Sequence, residues 1–174
     1  MNDKPNEWVS RHAGLIPATG RVLDLACGSG RHARMLVELG HTVLAVDKNL
    51  ASTEYLHHHP AIEARETDLE TSSWPLAGEC FAGIIVVNYL YRPHLASLIN
   101  NLQDDGVLIY STFAAGNECF GRPRNPDFLL QPDELLQVCS ERLNVIAHEN
   151  LTTPAPKPAV RQQICACGPL FQHP

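Results

Sequence analysis

The chain has 174 residues, of which 44% are hydrophobic and 18% are charged. This size and balance are typical of one compact domain with its own core, and they exclude large multidomain enzymes and disordered chains. Lys and Arg number 13 against 19 Asp and Glu, a net charge of −6, so we expect no nucleic-acid partner.

Targeting and redox features also narrow the possibilities. No apolar run approaches the roughly 20 residues that cross a bilayer, and the polar N-terminus lacks the basic-then-apolar order of a signal peptide. We therefore predict a cytoplasmic protein with no membrane partner, in which the 6 cysteines are reduced. Cys165 and Cys167 are closely spaced but lack two further ligands, so we interpret them as small buried residues and predict no metal site.

The first half of the chain alternates predicted strands and helices. Residues 1–20 predict an amphipathic helical segment, residues 21–26 a short buried strand, and residues 31–39 a helix that ends at Gly40. Strands follow over residues 41–46 and 61–67, with a helix over residues 50–58 between them. The strongest strand is predicted over residues 81–87, because a continuous apolar run is typical of a parallel strand covered on both faces.

The second half ends differently. A helix is predicted over residues 93–103, with Pro93 in its first turn and Asp105-Gly106 as its stop, and a strand over residues 107–113. Residues 114–132 predict a long loop and residues 132–141 a helix. Strands at residues 143–148 and 159–167 have no helix between them, so we expect an antiparallel hairpin.

This order of elements predicts a doubly wound α/β fold. We expect a three-layer sandwich around a mostly parallel, seven-stranded sheet with a C-terminal antiparallel β-hairpin, in a single domain over residues 1–174. In such sheets, ligands bind at the carboxyl ends of the strands.

A glycine-rich turn follows the first predicted strand, in the segment Asp24-Leu25-Ala26-Cys27-Gly28-Ser29-Gly30. Glycines at this position let a nucleotide-like ligand touch the backbone. Asp47 ends the second strand, where a carboxylate can accept hydrogen bonds from both hydroxyls of a ribose. The turn and Asp47 together predict a nucleotide-type ligand.

Two ligands compete for this arrangement. Gly28, Gly30 and Ala33 satisfy the dinucleotide pattern G-x-G-x-x-G/A, so an NAD-dependent oxidoreductase is one alternative. The chain has no Tyr-x-x-x-Lys pair to donate a proton. Asp24, just before the turn, suits a ligand that carries an ammonium better than a pyrophosphate.

Residues 22–30 and the segment Val43-Leu44-Ala45-Val46-Asp47 resemble motif I and the following acidic motif of the class I S-adenosylmethionine-dependent methyltransferases. The resemblance covers almost the whole chain, including the closing hairpin, and points to the small tellurite-resistance-like type. It implies S-adenosylmethionine as cofactor, S-adenosylhomocysteine as product, and direct methyl transfer to a small-molecule acceptor. It also implies a cofactor-binding half over residues 21–113 and an acceptor-side loop, helix and hairpin over residues 114–174.

The same resemblance implies roles for individual residues. Gly28 and Gly30 would allow close approach of the methionine part, Asp24 would lie near its amino group, and Asp47 would hold the ribose. The whole cofactor-binding set is Asp24, Ala26, Cys27, Gly28, Gly30, Asp47, Lys48, Asp68, Leu69 and Asn88. Its other members would contact the adenine or the methionine, or line the turn.

Five members of this set carry particular expectations. Asp68 and the backbone amide of Leu69 would read the adenine edge, and Asn88 would present a backbone carbonyl near the methionine. Ala26 replaces the first glycine of the fuller G-x-G-x-G pattern, and Lys48 stands where an apolar residue that packs on the adenine is more usual.

Acceptor-side residues are expected in two loops at the same edge of the sheet. Tyr89, Tyr91 and Arg122 are the candidate catalytic residues, and one of the two tyrosines is expected to line the pocket while the other packs. Arg122 and Arg124 could clamp an anionic acceptor. Alternatively, they could only order their loop by pairing with its acids, Glu118, Asp127 and Asp133.

Two further points stay open at this level. A regulatory module that binds S-adenosylmethionine without turnover would show the same cofactor motifs. The chain is expected to be a monomer or a homodimer.

Overall fold

The computed structural model describes residues 4–51, 53–154 and 157–173. The strands are β1 (Arg21–Leu25), β2 (Thr42–Asp47), β3 (Ile62–Glu66), β4 (Phe81–Val87), β5 (Leu102–Phe113), β6 (Asn144–Thr153) and β7 (Ala159–Cys167). The α-helices are α1 (Glu7–His12), α2 (Arg31–Glu38), α3 (Glu54–His58), α4 (Leu95–Asn100) and α5 (Glu134–Ser140).

These strands form one sheet in the order β3-β2-β1-β4-β5-β7-β6. Strands β1 to β5 are parallel, and β7 lies antiparallel between β5 and β6. The predicted fold class is therefore confirmed. The strand order reverses between β1 and β4, because the chain builds outward from β1 to β3 and then returns to the other side of β1. Such a reversal opens a crevice at the carboxyl ends of the two strands.

Both faces of the sheet are buried, which makes the three layers. Alternate residues of a strand point to opposite faces. On one face, Leu23 and Leu25 share a buried cluster with side chains of α4 and α5. On the other, Val22 and Ile85 share a cluster with side chains of α1, α2 and α3. This two-sided cover explains why the whole of β4 is buried.

The predicted boundary between the fourth helix and the fifth strand is wrong. Helix α4 ends at Asn100, and β5 already begins at Leu102, which pairs with Phe81 before a register shift. Asp105 and Gly106 therefore lie within the strand and do not stop a helix. Leu102 is 1% exposed, so burying its side chain in the sheet outweighs the local turn signal.

Other boundaries differ by a few residues. Helix α3 begins at Glu54, because the carbonyl of Leu50 accepts hydrogen bonds from the backbone N–H (3.0 Å) and hydroxyl (2.6 Å) of Thr53 in a turn. Residue 52 of the predicted helix lies outside the described residues, as do residues 1–3 of the N-terminal segment. Strand β6 continues to Thr153, five residues beyond its predicted end.

Candidate active site

Asp24 ends up beneath the turn that follows β1. Its side chain is buried, and Oδ2 accepts the backbone N–H of Ala33 at 2.9 Å, which satisfies a donor in the first turn of α2. Burial raises the pKa of Asp24 to about 7. The neighbouring His32, whose Nδ1 lies 3.9 Å from Oδ1, has its pKa lowered by burial to about 4. Asp24 therefore organises the turn from within.

The two glycines of the turn have different surroundings. Gly28 and Gly30 both have left-handed φ angles, +55° and +74°. A Cβ on Gly28 would meet no heavy atom within 4 Å, whereas a Cβ on Gly30 would lie 2.5 Å from Leu56 Cδ2. Gly28 therefore borders open space, and Gly30 lets α3 pack on the turn. Ala26 also has a left-handed φ of 52°, a conformation that costs an L-residue about 1–2 kcal/mol.

An inner cavity of about 240 Å³ lies beside this turn. Six of the ten predicted cofactor-binding residues line it: Ala26, Asp47, Lys48, Asp68, Leu69 and Asn88. The other two lining residues are Glu70 and Tyr89. Glu70 was not predicted from the sequence to line this cavity. Its only sequence signal is its place two residues after Asp68, whose Oδ1 accepts the Glu70 backbone N–H at 2.9 Å.

Asp47 connects the inner cavity to the glycine turn. Its Oδ2 accepts the backbone N–H of Gly28 at 2.8 Å, and its Oδ1 accepts that of Asn49 at 3.1 Å. Each carboxylate oxygen has a second lone pair available. The carboxylate is thus fixed in orientation and can still accept hydrogen bonds from a ligand in the cavity. Cys27, by contrast, is buried in the core, and only its backbone takes part in the turn.

The end of β4 supplies Asn88 and Tyr89. Asn88 has a left-handed φ of 58°, and its backbone N–H donates to the carbonyl of Ser111 at 3.0 Å. The hydroxyl of Tyr89 is buried and has no hydrogen-bond partner among the described residues. Burial, followed by the nearby charge of Glu70, raises the pKa of Tyr89. Its phenol is therefore a neutral O–H donor at neutral pH.

An outer cleft of about 860 Å³ opens on the other side of Asn88. It lies between α1, the carboxyl end of β5, the β6-β7 hairpin and the loop after β5, and its lining includes Trp8, Phe113, Arg122 and Arg161. Nη2 of Arg161 donates to Oδ1 of Asn88 at 2.6 Å. Arg161 was not predicted from the sequence, although it directly precedes residues 162–167 of β7, all of which are buried.

A third, side cavity of about 270 Å³ also reaches Asn88. Its walls are mostly apolar and comprise Glu70, Asn88, Tyr89, Leu90, Thr112, Phe113, Pro123 and Phe128. Asn88 therefore stands where the inner cavity, the outer cleft and the side cavity meet.

The predicted acceptor-side residues separate into two groups. Tyr89 lines the inner and side cavities, and Arg122 lines the outer cleft. Tyr91 lines none of the three; its hydroxyl donates to the carbonyl of Glu70 at 3.4 Å, and its ring lies 5.0 Å from that of His94. Within the described part of the chain, no ion pair joins Arg122 or Arg124 to the acids of their loop.

Arg92 orders that loop instead. Its guanidinium bonds both carboxylate oxygens of Glu134 at 2.7 and 2.9 Å, and it donates to the carbonyls of Asp127 at 2.8 Å and Leu129 at 2.7 Å. These bonds hold the wall of the side cavity against α5. No role was predicted for Arg92 from the sequence.

In the described ranges, no group of three or more His, Cys, Asp or Glu side chains is arranged to hold a metal ion. Cys165 and Cys167 are both buried. No helix of that same part is long and apolar enough to span a membrane.

The strand order, the glycine turn after β1 and the acid after β2 define a Rossmann-like fold of the class I methyltransferase type. The chain belongs to the TehB family: the family model described as tellurite resistance protein TehB matches residues 8–111. That match ends within β5, so residues 112–174 lie beyond it. A search of curated proteins found no match.

Solved structures share the fold at low sequence identity. TehB from Haemophilus influenzae is 17% identical with a TM-score of 0.74; the match covers 97% of this chain but only 63% of that one. A Burkholderia thailandensis 1,6-didemethyltoxoflavin-N1-methyltransferase, solved with its substrate and S-adenosylhomocysteine, is 19% identical with a TM-score of 0.69, over 92% of this chain and 76% of that one. The N-methyltransferase NodS from Bradyrhizobium japonicum is 16% identical with a TM-score of 0.66, over 92% and 95%.

Proposed function

We propose that the protein is an S-adenosylmethionine-dependent methyltransferase that acts on a small-molecule acceptor by direct methyl transfer. One observation carries the proposal: the inner cavity and the outer cleft meet at Asn88, beside the point where the strand order reverses. A donor and an acceptor bound in these two spaces could meet beside Asn88, which lines both of them. Membership of the TehB family and the shared methyltransferase fold support this assignment.

The residues present fit the donor. The Asp47 carboxylate, held by the Gly28 N–H, can accept from both ribose hydroxyls. The open space beside Gly28 allows a ligand to approach the backbone. The buried hydroxyl of Tyr89 lacks a partner in the described residues, and a buried polar group of this kind is stabilised when a ligand completes its hydrogen bond. Lys48, Asp68 and Leu69 would border the adenine.

When bound, the donor supplies an electrophilic methyl group on a sulfonium, and the sulfur keeps the bonding electron pair when the methyl leaves. The chain's own contribution is alignment and exclusion of water. Asn88 borders both spaces, and its side chain is held by Arg161. Tyr89, with its raised pKa, can donate a hydrogen bond but does not take up a proton at neutral pH.

Two experiments, a titration series and a transfer assay, separate the proposal from its two alternatives. Calorimetry with S-adenosylmethionine, S-adenosylhomocysteine and NAD should show binding of the two sulfur nucleosides and none of NAD; tight binding of NAD alone would contradict the proposal. The protein should then transfer label from S-methyl-labelled donor to a member of a panel of thiols, phenols, carboxylates and metalloid oxyanions. Binding of the donor without transfer to any of them would favour the regulatory module.

The proposal also includes a cytoplasmic location, a small-molecule acceptor in place of a nucleic acid, and a monomeric or homodimeric state. Cell fractionation and analytical ultracentrifugation test the first and the last. The family match does not extend over residues 114–174, where much of the outer cleft lies. The identity of the acceptor therefore depends on residues outside that match.

A further inference from the structure

Arg161 lies on β7, in the wall of the outer cleft, among neutral partners. Its Nη2 donates to Asn88 Oδ1 at 2.6 Å and lies 3.3 Å from both the carbonyl and the hydroxyl oxygen of Ser111. The guanidinium carbon lies 4.6 Å from the centre of the Phe113 ring. These contacts fix the plane and position of the guanidinium.

The positive charge of this side chain is not neutralised within the described residues. No carboxylate there forms an ion pair with Arg161, and its Nη1 has no hydrogen-bond partner in that part of the chain. Burial and the charge of Arg31 lower the pKa of Arg161 to about 10, so it remains a cation at neutral pH. A largely desolvated cation without a counter-ion is costly, and an incoming anion would offset that cost.

The outer cleft is lined by more bases than acids, although the chain as a whole has a negative net charge. Among the described lining residues, two acids, Glu7 and Glu149, face six bases: Lys4, Arg11, Arg31, Arg122, Lys157 and Arg161. Arg11 lies 3.3 Å from Glu149, and Lys4 and Arg31 also have interaction partners. In a protein of net charge −6, this local excess of bases would attract and hold an anion.

The side cavity adds an apolar surface next to Arg161. Phe113 lines both the outer cleft and the side cavity, and Tyr89, Leu90, Pro123 and Phe128 supply the rest of the apolar wall of the side cavity. The polar residues of that cavity are Glu70, Asn88 and Thr112. Its volume of about 270 Å³ exceeds the roughly 150 Å³ of an apolar cavity known to hold benzene. A ring in the side cavity would therefore lie beside Phe113 and Asn88, the two residues that Arg161 contacts.

We propose that the acceptor is a small organic anion, with an aromatic or apolar body in the side cavity and a carboxylate or other anionic group bound by Arg161. This proposal rests on the proposed function, because it names the substrate class for the same site. It assigns to Arg161 the recognition of the acceptor, while the inner cavity binds the donor.

The test uses the full chain saturated with S-adenosylhomocysteine and four probes: benzoate, phenyl phosphate, the neutral isostere benzamide, and acetate. Ligand-observed NMR titration should show benzoate or phenyl phosphate binding at least tenfold more tightly than benzamide and than acetate. Arg161→Gln should reduce that affinity at least tenfold and change the affinity for S-adenosylhomocysteine less than threefold. Arg124→Gln, at an exposed arginine outside the outer cleft, is the matched control and should behave as wild type.

Each contrary result is distinct. Equal binding of benzamide, equal binding of acetate, or full affinity in Arg161→Gln would overturn the proposal. A tenfold loss of S-adenosylhomocysteine affinity in Arg161→Gln would overturn it too, since Arg161 would then hold the carboxylate of the donor. Should Arg161→Gln not fold, Arg161→Lys, which keeps the charge without the planar fork, should lower probe affinity about threefold or more, and unchanged affinity would count against the proposal. Absence of S-adenosylhomocysteine binding in the wild type would instead refute the proposed function.

Discussion

The two glycines of the turn allow a sharp test, because alanine should cost more stability at Gly30 and more ligand affinity at Gly28. Both φ angles are left-handed, +55° at Gly28 and +74° at Gly30, so alanine costs about 1–2 kcal/mol at either site. A gain of about 0.4–1 kcal/mol from the stiffer unfolded chain offsets part of this. At Gly28 nothing lies within 4 Å of the added Cβ, so Gly28→Ala should lower the free energy of unfolding by only about 1 kcal/mol.

At Gly30 the added Cβ would lie 2.5 Å from Cδ2 of Leu56, whose side chain is 1% exposed. Overpacking of this kind costs a further 1–3 kcal/mol, roughly, so Gly30→Ala should lower the free energy of unfolding by about 2–4 kcal/mol. The order reverses for ligand binding, because the space beside Gly28 is where we place the donor. Gly28→Ala should weaken S-adenosylhomocysteine binding at least tenfold, or about 1.4 kcal/mol.

Urea unfolding and calorimetric titration of both variants measure the two effects. The Gly28→Ala variant should be close to wild type in stability and deficient in binding, and it serves as the control for Gly30→Ala. Wild-type affinity in Gly28→Ala would show that the turn does not border the ligand. Equal loss of stability in the two variants would refute the packing of α3 on Gly30.

Three further predictions address other parts of the site. Asp47→Ala should weaken binding of S-adenosylmethionine by at least about 2 kcal/mol, since a fixed acceptor of both ribose hydroxyls is lost, and unchanged calorimetric affinity would show that the ribose assignment is wrong. Asp24→Asn removes a carboxyl whose pKa is raised to about 7 and leaves His32, whose pKa is lowered to about 4. Because His32 takes up a proton near pH 6.5 in the unfolded chain, the free energy of unfolding should decrease by about 3 kcal/mol as pH falls from 6.5 to 4. Denaturation curves across that window should lose this slope in the Asp24→Asn/His32→Gln double variant, and a persistent slope would point to another group. Arg92→Gln should lower stability by about 1–2 kcal/mol, because the partly buried carboxylate of Glu134 loses its partner, and limited proteolysis should then cut residues 121–128 faster; an unchanged cleavage rate would count against the role of Arg92.

The sheet could be predicted because its signals are local in the sequence. Residues 81–87 are continuously apolar, and the structure buries all of them as β4. The glycine turn and Asp47 follow their strands directly, so the topology alone brings them to one edge. Boundaries were less accurate where tertiary contacts prevailed, as at Leu102, whose pairing with Phe81 starts β5 earlier than its turn residues indicate.

The acceptor side was harder to predict because its residues come from distant parts of the chain. The position of Arg161 in the outer cleft depends on the antiparallel pairing of β5 and β7, which places it opposite Phe113. Arg92 orders the loop through carbonyls 35 and 37 residues away, a relation with no sequence pattern. The loop arginines Arg122 and Arg124 were visible in the sequence, but only the folded chain separates the one in the outer cleft from the one outside it.

The inner cavity and the outer cleft are built from different parts of the chain, and Asn88 lies where they meet. Every described residue of the inner cavity comes from residues 26–89, whereas most of the outer cleft comes from α1 and residues 113–163, and Asn88 is the described residue that the two share. Grafting residues 114–163 from a relative onto this chain should therefore exchange what is methylated and leave nucleoside recognition in place. Such chimaeras would have to retain Asn88, which has a left-handed backbone conformation and lines both the inner cavity and the outer cleft.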